Sequence, residues 1–328
     1  MEKKRDVVAL GELLIDMTNN GLSENNNDLF EANPGGAPCN VLAMLKKFGH
    51  SVSFIGKVGD DIFGRKLKKT LEEVGIGTEN LLMDKDVRTT LAFVETFADG
   101  DRDFSFYRNP GADMMLRKDE VNADLIRESR VFHFGTLSMT HAGVREATLY
   151  ALQVAKESGC IISFDPNLRE PLWNSLDEAK EQVLKGLEYC HYLKISDNEI
   201  QWLTGEEDFT AGVKKIREQF SIPLITVSMG KEGSRAYYLN KKTGEEHVVE
   251  VAPFISKETI ETTGAGDTFC GCVLHYLLEN GLEDLKDSQL KEMLTTANAA
   301  ASLITRVKGA LRVMPSLSAV EQLIKQGD

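Results

Sequence analysis

The sequence predicts an α/β protein, with a parallel sheet covered by helices on both faces and a small separate β-sheet beside it. Three observations carry this. Short apolar runs alternate with stretches of helical periodicity, as strands buried on both faces do when helices cross over between them. Glycines stop the helical stretches. Two segments, 12–33 and 88–114, break the alternation with strand and loop patterning and no crossover helix.

Taken in order, Val7 to Leu10 is the first apolar run, ended by Gly11. A helix begins at Pro38, carries Val41, Leu45 and Phe48 on one face, and stops at Gly49. Val52 to Ile55 is the next strand. After Asp61, Phe63, Leu67, Leu71 and Val74 repeat the helical spacing up to Gly75. Strands are expected at 131–134, 161–164, 192–195 and 223–227, and helices over Asp267–Asn280 and about Ser288–Val307. In the second irregular segment Phe93 and Phe97 share a face, Asp99-Gly100 supplies a turn, and Phe104 and Phe106 share a face on the return. An apolar sheet needs something to cover, so the two segments are read as a lid. The boundaries are a large domain of 1–11, 34–87 and 115–328, and a lid of 12–33 and 88–114.

Composition narrows the function. The 328 residues include 38 Lys plus Arg against 51 Asp plus Glu, a net charge of −13, with no basic block suited to a phosphate backbone. Nucleic acid is therefore not an expected partner. No run of 18 apolar residues exists, and the first apolar run is broken by Gly11, Glu12 and Asp16, so neither a span nor a signal peptide is expected. Five scattered cysteines form no CxxC pair and read as reduced cytoplasmic thiols. There is no GxxxxGK[ST], no GxGxxG after the first strand and no HExxH, which removes P-loop, dinucleotide and zinc-protease readings.

The chemistry lies in Thr262-Thr263-Gly264-Ala265-Gly266-Asp267, which runs into the helix of Thr268 to Val273. Small residues at a helix start let free N–H groups and the positive dipole end hold an anion. The same helix end is expected to keep Asp267 ionised. A carboxylate beside an anion hole suits phosphoryl transfer to a hydroxyl. Read alone, the stretch is also an ordinary capped helix start. Gly35-Gly36 leads into the second helix start, with Asn40 one turn in, and read alone is equally a βα loop. Asp16 ends the first strand-like segment, on the carboxyl side where α/β sheets bind ligands.

Gly35-Gly36 with Asn40, Gly56-Lys57-Val58-Gly59-Asp60-Asp61-Ile62-Phe63-Gly64 and the Thr262–Phe269 stretch together resemble the two signatures of the ribokinase/PfkB family of carbohydrate kinases, in order and spacing, over nearly the whole chain. The resemblance implies a ribokinase-like αβα sandwich with a small β-sheet lid, Asp267 as base and Gly264, Ala265 and Gly266 as anion hole. Asp16, Gly35, Gly36 and Asn40 match sugar contacts. Ser228, Gly230 and Gly233 match the loop beside the nucleotide, and Asn298 a residue near adenine. Glu199 matches the glutamate of the NxxE element that organises Mg²⁺ through water, although Ser196 replaces its asparagine. Glu261 stands where the family often has Asp, beside Thr263, at a monovalent cation site associated with K⁺.

Two segments are most similar to fructokinases: Phe106–Leu116 with Arg108, and Asp165–Trp173 with Asn167 and Arg169. Two guanidinium forks converging on ligand oxygens are expected from them. Similar arginines occur in 2-keto-3-deoxygluconate kinases. The reading is a cytoplasmic fructokinase using Mg²⁺ and ATP, dimeric through the apolar face of its lid. The alternatives are 2-keto-3-deoxygluconate kinase, another ribokinase-like sugar or nucleoside kinase, and a non-catalytic sugar sensor.

Overall fold

Val7 and Ala9 of the first strand face one apolar layer and Val8 and Leu10 the other, which is why that run carries no polar residue. The computed structural model describes residues 3–96 and 102–327. In chain order the strands are β1 (Arg5–Leu10), β2 (Leu14–Leu22), β3 (Asp28–Gly35), β4 (Val52–Gly59), β5 (Gly77–Asp84), β6 (Leu91–Thr96), β7 (Arg102–Tyr107), β8 (Ser129–Gly135), β9 (Ile161–Asp165), β10 (Tyr192–Ser196), β11 (Leu224–Ser228), β12 (Ser234–Leu239) and β13 (Glu246–Val251). The helices are α1 (Ala37–Lys47), α2 (Ile62–Val74), α3 (Ala123–Arg127), α4 (Ala142–Glu157), α5 (Leu176–Leu187), α6 (Asp197–Thr204), α7 (Phe209–Arg217), α8 (Ala265–Asn280), α9 (Asp287–Ile304) and α10 (Leu317–Gly327).

The large sheet runs β13-β12-β11-β10-β9-β8-β1-β4-β5 and is parallel from β11 to β5. Residues of α1, α2, α8 and α9 fill one layer against it, and residues of α4 to α7 fill the other. Local chemistry sets the helix ends. The Asp61 carboxylate accepts the N–H groups of Phe63 and Gly64 at 3.0 and 2.8 Å to start α2, and Gly75, at φ 81°, ends it in the left-handed region. Between them Leu67 and Leu71 are fully buried, each contributing roughly 2 kcal/mol. No helix of the described residues is long and apolar enough to cross a membrane.

A second sheet runs β3-β2-β6-β7 and is built from the two irregular segments. Its register pairs Phe106 with Ala92. Phe97 and the Asp99-Gly100 turn lie outside the described residues. Asp16 is a correction to the sequence reading. The chain does not continue β1 past Leu10. Glu12 turns inward to accept the Ala37 N–H at 2.8 Å, and Asp16 falls within β2, opposite Asn33. Strand β5 and the hairpin of β12 and β13 were not predicted. The last two extend the sheet antiparallel at its edge, where β13 alternates exposed and half-buried residues instead of forming an apolar run.

Candidate active site

Strand order reverses beside β1, and the carboxyl ends of parallel strands at such a point form the ligand crevice of an open α/β sheet. A cleft of about 590 Å³ opens there. Glu12 follows β1 into it, Leu137 follows β8, Asn167 and Arg169 follow β9, and Asn198 follows β10. The second sheet reaches over with Asp16 and Phe106, while Gly36 and Asn40 come from the start of α1. Thr262, Thr263, Gly264, Gly266 and Asp267 complete the lining.

Asp267 sits in the first turn of α8 and accepts the Asn40 side-chain N–H at 2.8 Å. Loss of hydration raises its pKa, against the pull of the Asn40 hydrogen bond and of the Lys194 and Arg169 charges. The result is a more basic carboxylate than a free aspartate, which favours proton abstraction. Asn40 is buried, and its Oδ1 has no partner. An orphaned acceptor costs free energy until a donor fills it, and a ligand hydroxyl is such a donor.

Glycine is required where neighbours press closest. A Cβ on Gly35 would collide with the Asp16 carboxylate. Gly264 caps α8 at φ 75°, and a Cβ there would lie 2.9 Å from the Ala310 methyl. At Gly266 it would stand 3.2 Å from Lys194 Nζ, in the space before the free N–H groups of α8.

Lys194, Asp165 and Glu12 are site residues that sequence reasoning missed. Lys194 Nζ lies 3.1 Å from the Asp165 carboxylate, and both side chains are buried. Burial works to deprotonate Lys194, but the charges of Asp165 and Glu199 outweigh it and raise its pKa, so it remains an ammonium. Burial pushes Asp165 up to about 7 despite Lys194, and Glu12 likewise to about 7. A signal was present for Lys194. It stands between Leu193 and Ile195 in an otherwise apolar strand, where a lysine survives only if paired.

A second cleft, of about 290 Å³, adjoins the first, and Thr262 and Gly266 line both. Its walls include Ser228, Gly230, Gly233, Phe254, Ala265, Phe269 and Asn298. Asn298 is internally satisfied: its carbonyl accepts the Ser234 hydroxyl at 2.9 Å, and its amide donates to the Val251 and Ala252 carbonyls at 3.2 and 3.1 Å.

The structure thus gathers Asp16, Gly36, Asn40, Asn167, Arg169, Thr263, Gly264, Gly266 and Asp267 in one cleft and Ser228, Gly230, Gly233, Ala265 and Asn298 in the next. Gly35 stands immediately behind Asp16. Arg108 departs from the expectation. Its guanidinium is buried, lies 2.7 Å from the Asp113 carboxylate, and donates to Thr140 Oγ1 at 2.8 Å and the Leu137 carbonyl at 2.9 Å. It does not line the cleft, so the two arginines do not converge. Buried Asp113 captures one of them. Glu199 and Glu261 line neither cleft. Glu199 accepts the Leu168 N–H at 2.7 Å and, with its other oxygen, the Ser196 N–H at 2.8 Å and hydroxyl at 2.9 Å, so Ser196 serves as the cap of α6. Despite burial, the Lys194 charge and these hydrogen bonds hold its pKa below the ordinary value. Glu261 accepts the Gly309 N–H at 2.7 Å.

The family model described as pfkB family carbohydrate kinase matches residues 4–317. The chain belongs to that family. This kinase is 40% identical over 327 residues to probable fructokinase-4 of Arabidopsis thaliana, covering 98% of each chain. Among solved structures it is similar to a fructokinase with bound ATP from Xylella fastidiosa, at a TM-score of 0.88 and 29% identity, covering 99% of each chain. It is also similar to a fructokinase from Vibrio cholerae O395 in a fructose, ADP and calcium ion bound form, at a TM-score of 0.83 and 28% identity, covering 98% of this chain and 99% of that one. A double mutant of the latter, in a fructose, ADP and potassium ion bound form, matches at a TM-score of 0.85 and 27% identity, covering 99% and 100%. The kinase fold is therefore the ribokinase-like αβα sandwich, and the chain is a carbohydrate kinase.

Proposed function

We propose that the enzyme transfers the terminal phosphoryl group of ATP to a hydroxyl of fructose, giving fructose 6-phosphate. One observation carries this reading: Gly266 lines both the polar and the more apolar cleft, and Asp267 follows it at their junction. A sugar in the first cleft satisfies Asn40 Oδ1, with Asp16, Asn167 and Arg169 as further partners. Asp267 accepts the proton of the attacking hydroxyl. The N–H groups of Gly264 and Gly266 stabilise the charge on the migrating group, the Lys194 ammonium adds to that field, and Ala265, whose N–H donates to the Thr262 carbonyl at 3.2 Å, holds the turn that presents them. Nucleotide occupies the second cleft between the Ser228–Gly233 loop and Asn298. The second sheet acts as a lid, with Phe106 excluding the water that competes as acceptor.

Mg²⁺ suits this reading as an ion that keeps several waters and takes hard oxygen donors. Glu199, which lines neither cleft and whose oxygens accept the Leu168 N–H and the Ser196 N–H and hydroxyl, would hold it through water. When bound, the ion neutralises charge between the phosphates. A K⁺ site at Glu261 and Thr263 is proposed on the same footing, supported by the potassium ion of the Vibrio relative.

On the lid's other face Phe93 packs edge-on to Phe30 at 5.3 Å and against Tyr107 at 5.1 Å, and Phe30 and Tyr107 are exposed. This apolar patch is the proposed dimer surface. Sedimentation equilibrium should return a dimer mass that Phe30→Lys reduces to a monomer, and a monomeric wild type removes the proposal.

The substrate is tested by a steady-state panel of fructose, glucose, ribose and 2-keto-3-deoxygluconate at saturating Mg·ATP, run in K⁺ and in Na⁺. Fructose should give the highest kcat/KM, and K⁺ the higher rate. A best rate with 2-keto-3-deoxygluconate means that Arg169 and Lys194 read a carboxylate, and the substrate assignment fails while the kinase survives.

A further inference from the structure

On the side of α8 away from the active site, two histidines and a glutamate converge without any part in the chemistry above. His50, just beyond α1, places Nε2 2.7 Å from Nδ1 of His275. Glu279 lies one turn after His275 on the same helix, the i, i+4 spacing that puts two side chains on one face. One ligating atom from each of the three lies within 4.8 Å of the others. We infer that His50, His275 and Glu279 form a binding site for a late first-row divalent cation of the Zn²⁺ class, joining the end of α1 to α8.

The donor set and its surroundings both fit. Two imidazoles and one carboxylate, with a fourth position left to water, is a tetrahedral zinc pattern, whereas Mg²⁺ and Ca²⁺ prefer oxygen donors alone. Ligands about 2.0–2.1 Å from one tetrahedral ion stand roughly 3.3 Å apart, so the ring nitrogens need to part by only about half an ångström. Outer contacts already orient both rings. His50 Nδ1 lies 3.7 Å from the Asp6 carboxylate, which is itself fixed by Ser51 and Arg130, and this arrangement directs the lone pair of Nε2 toward His275. Phe48 packs edge-on against the His275 ring at 4.9 Å. Burial holds both imidazoles below their usual pKa, so they are neutral bases at neutral pH. Entry is open: a groove of about 620 Å³ is lined by His275 and Glu279, and Glu279 is exposed.

The location gives the ion a structural consequence. The amino ends of α1 and α8 hold Asn40 and Asp267, joined by their hydrogen bond, while the cation ties the other ends of the same two helices. Asp267 and His275 are eight residue steps apart on α8, about 12 Å. The bound ion therefore clamps the register of a helix pair that carries the reacting carboxylate at its far end.

Co²⁺ titration without nucleotide tests the inference, because tetrahedral Co²⁺ absorbs strongly in the visible. The wild-type enzyme should show this band at one equivalent, lose it to added Zn²⁺, and melt at a higher temperature with Zn²⁺ than without. His275→Ala and Glu279→Gln should each weaken the ion by at least about tenfold, while Asp267→Asn, at the active site, keeps the band. Glu279 is exposed, so its variant folds even if His275→Ala does not. An absent band in the wild type overturns the site, as does a band that both variants retain or that Asp267→Asn removes.

Discussion

Two asparagines, one in each cleft, show how differently the two halves of the active site are built. Asn40, at the floor of the polar cleft, is buried with an unpartnered carbonyl, and its amide donates to the Asp267 carboxylate. Asn298, in the neighbouring cleft, spends its whole amide on Ser234 and the Val251 and Ala252 carbonyls. The first cleft gathers Glu12, Asp16, Arg169, Lys194 and Asp267, whereas the second adds Pro253, Phe254, Ile255 and Phe269. Discrimination is therefore concentrated on the polar side, where a ligand lacking the right hydroxyl leaves buried groups unpaired, a penalty that reaches roughly 10⁴ in rate. The other side recognises by shape and apolar contact, with a shallower dependence on any one side chain.

The largest effect that separates the two sides is at Asp267. Asp267→Asn removes the proposed proton acceptor but keeps its shape and the hydrogen bond from Asn40. Turnover should fall by roughly 10²–10⁴, the usual worth of a positioned base, while calorimetric affinities for sugar and nucleotide hold. A kcat near the wild-type value breaks the mechanism.

Charge in and around the polar side is of two kinds, and Arg108 tests the second. With side chains 2% exposed, Arg108 and Asp113 form a framework pair instead of a ligand contact. Arg108→Ala leaves the Asp113 carboxylate buried and unpaired, a loss of roughly 3–5 kcal/mol. Urea denaturation should show that loss, and the surviving folded enzyme should keep its KM for fructose within a few-fold. Unchanged stability with a much higher KM restores Arg108 as a sugar contact.

The same pair marks the limit of what is legible in the sequence. Periodicity and glycine stops gave the α1 and α2 boundaries nearly residue by residue, because each end is fixed by a local cap such as Asp61 or Gly75. The Thr262–Asp267 stretch was readable for the same reason: its chemistry follows from a few adjacent small residues at a helix start. Arg108 was misjudged because its partner is set by the fold, and nothing in its spacing told whether Asp113 or a ligand would take the guanidinium. Lys194 and Asp165 were missed because strands β9 and β10 must lie side by side before the two charges meet. Strand β13, with its outward face in water, lacks the apolar run that marks the parallel strands β8 to β11.

The smallest expected effect is in the second cleft, the proposed nucleotide site, and it sharpens the contrast most directly. Phe254 is half-buried against the core edge and lines the second cleft with Ile255 and Phe269. Truncating a partly buried aromatic ring removes apolar contact worth roughly 1 kcal/mol, so Phe254→Ala should raise the KM for ATP about fivefold. No polar group is orphaned by the change, so kcat at saturating ATP and the KM for fructose should stay near wild-type values. Initial rates over a grid of ATP and fructose concentrations separate these terms. If the variant instead raises the fructose KM or collapses kcat, the two clefts are coupled through the Thr262–Gly266 segment, and the division of labour drawn from the two asparagines fails.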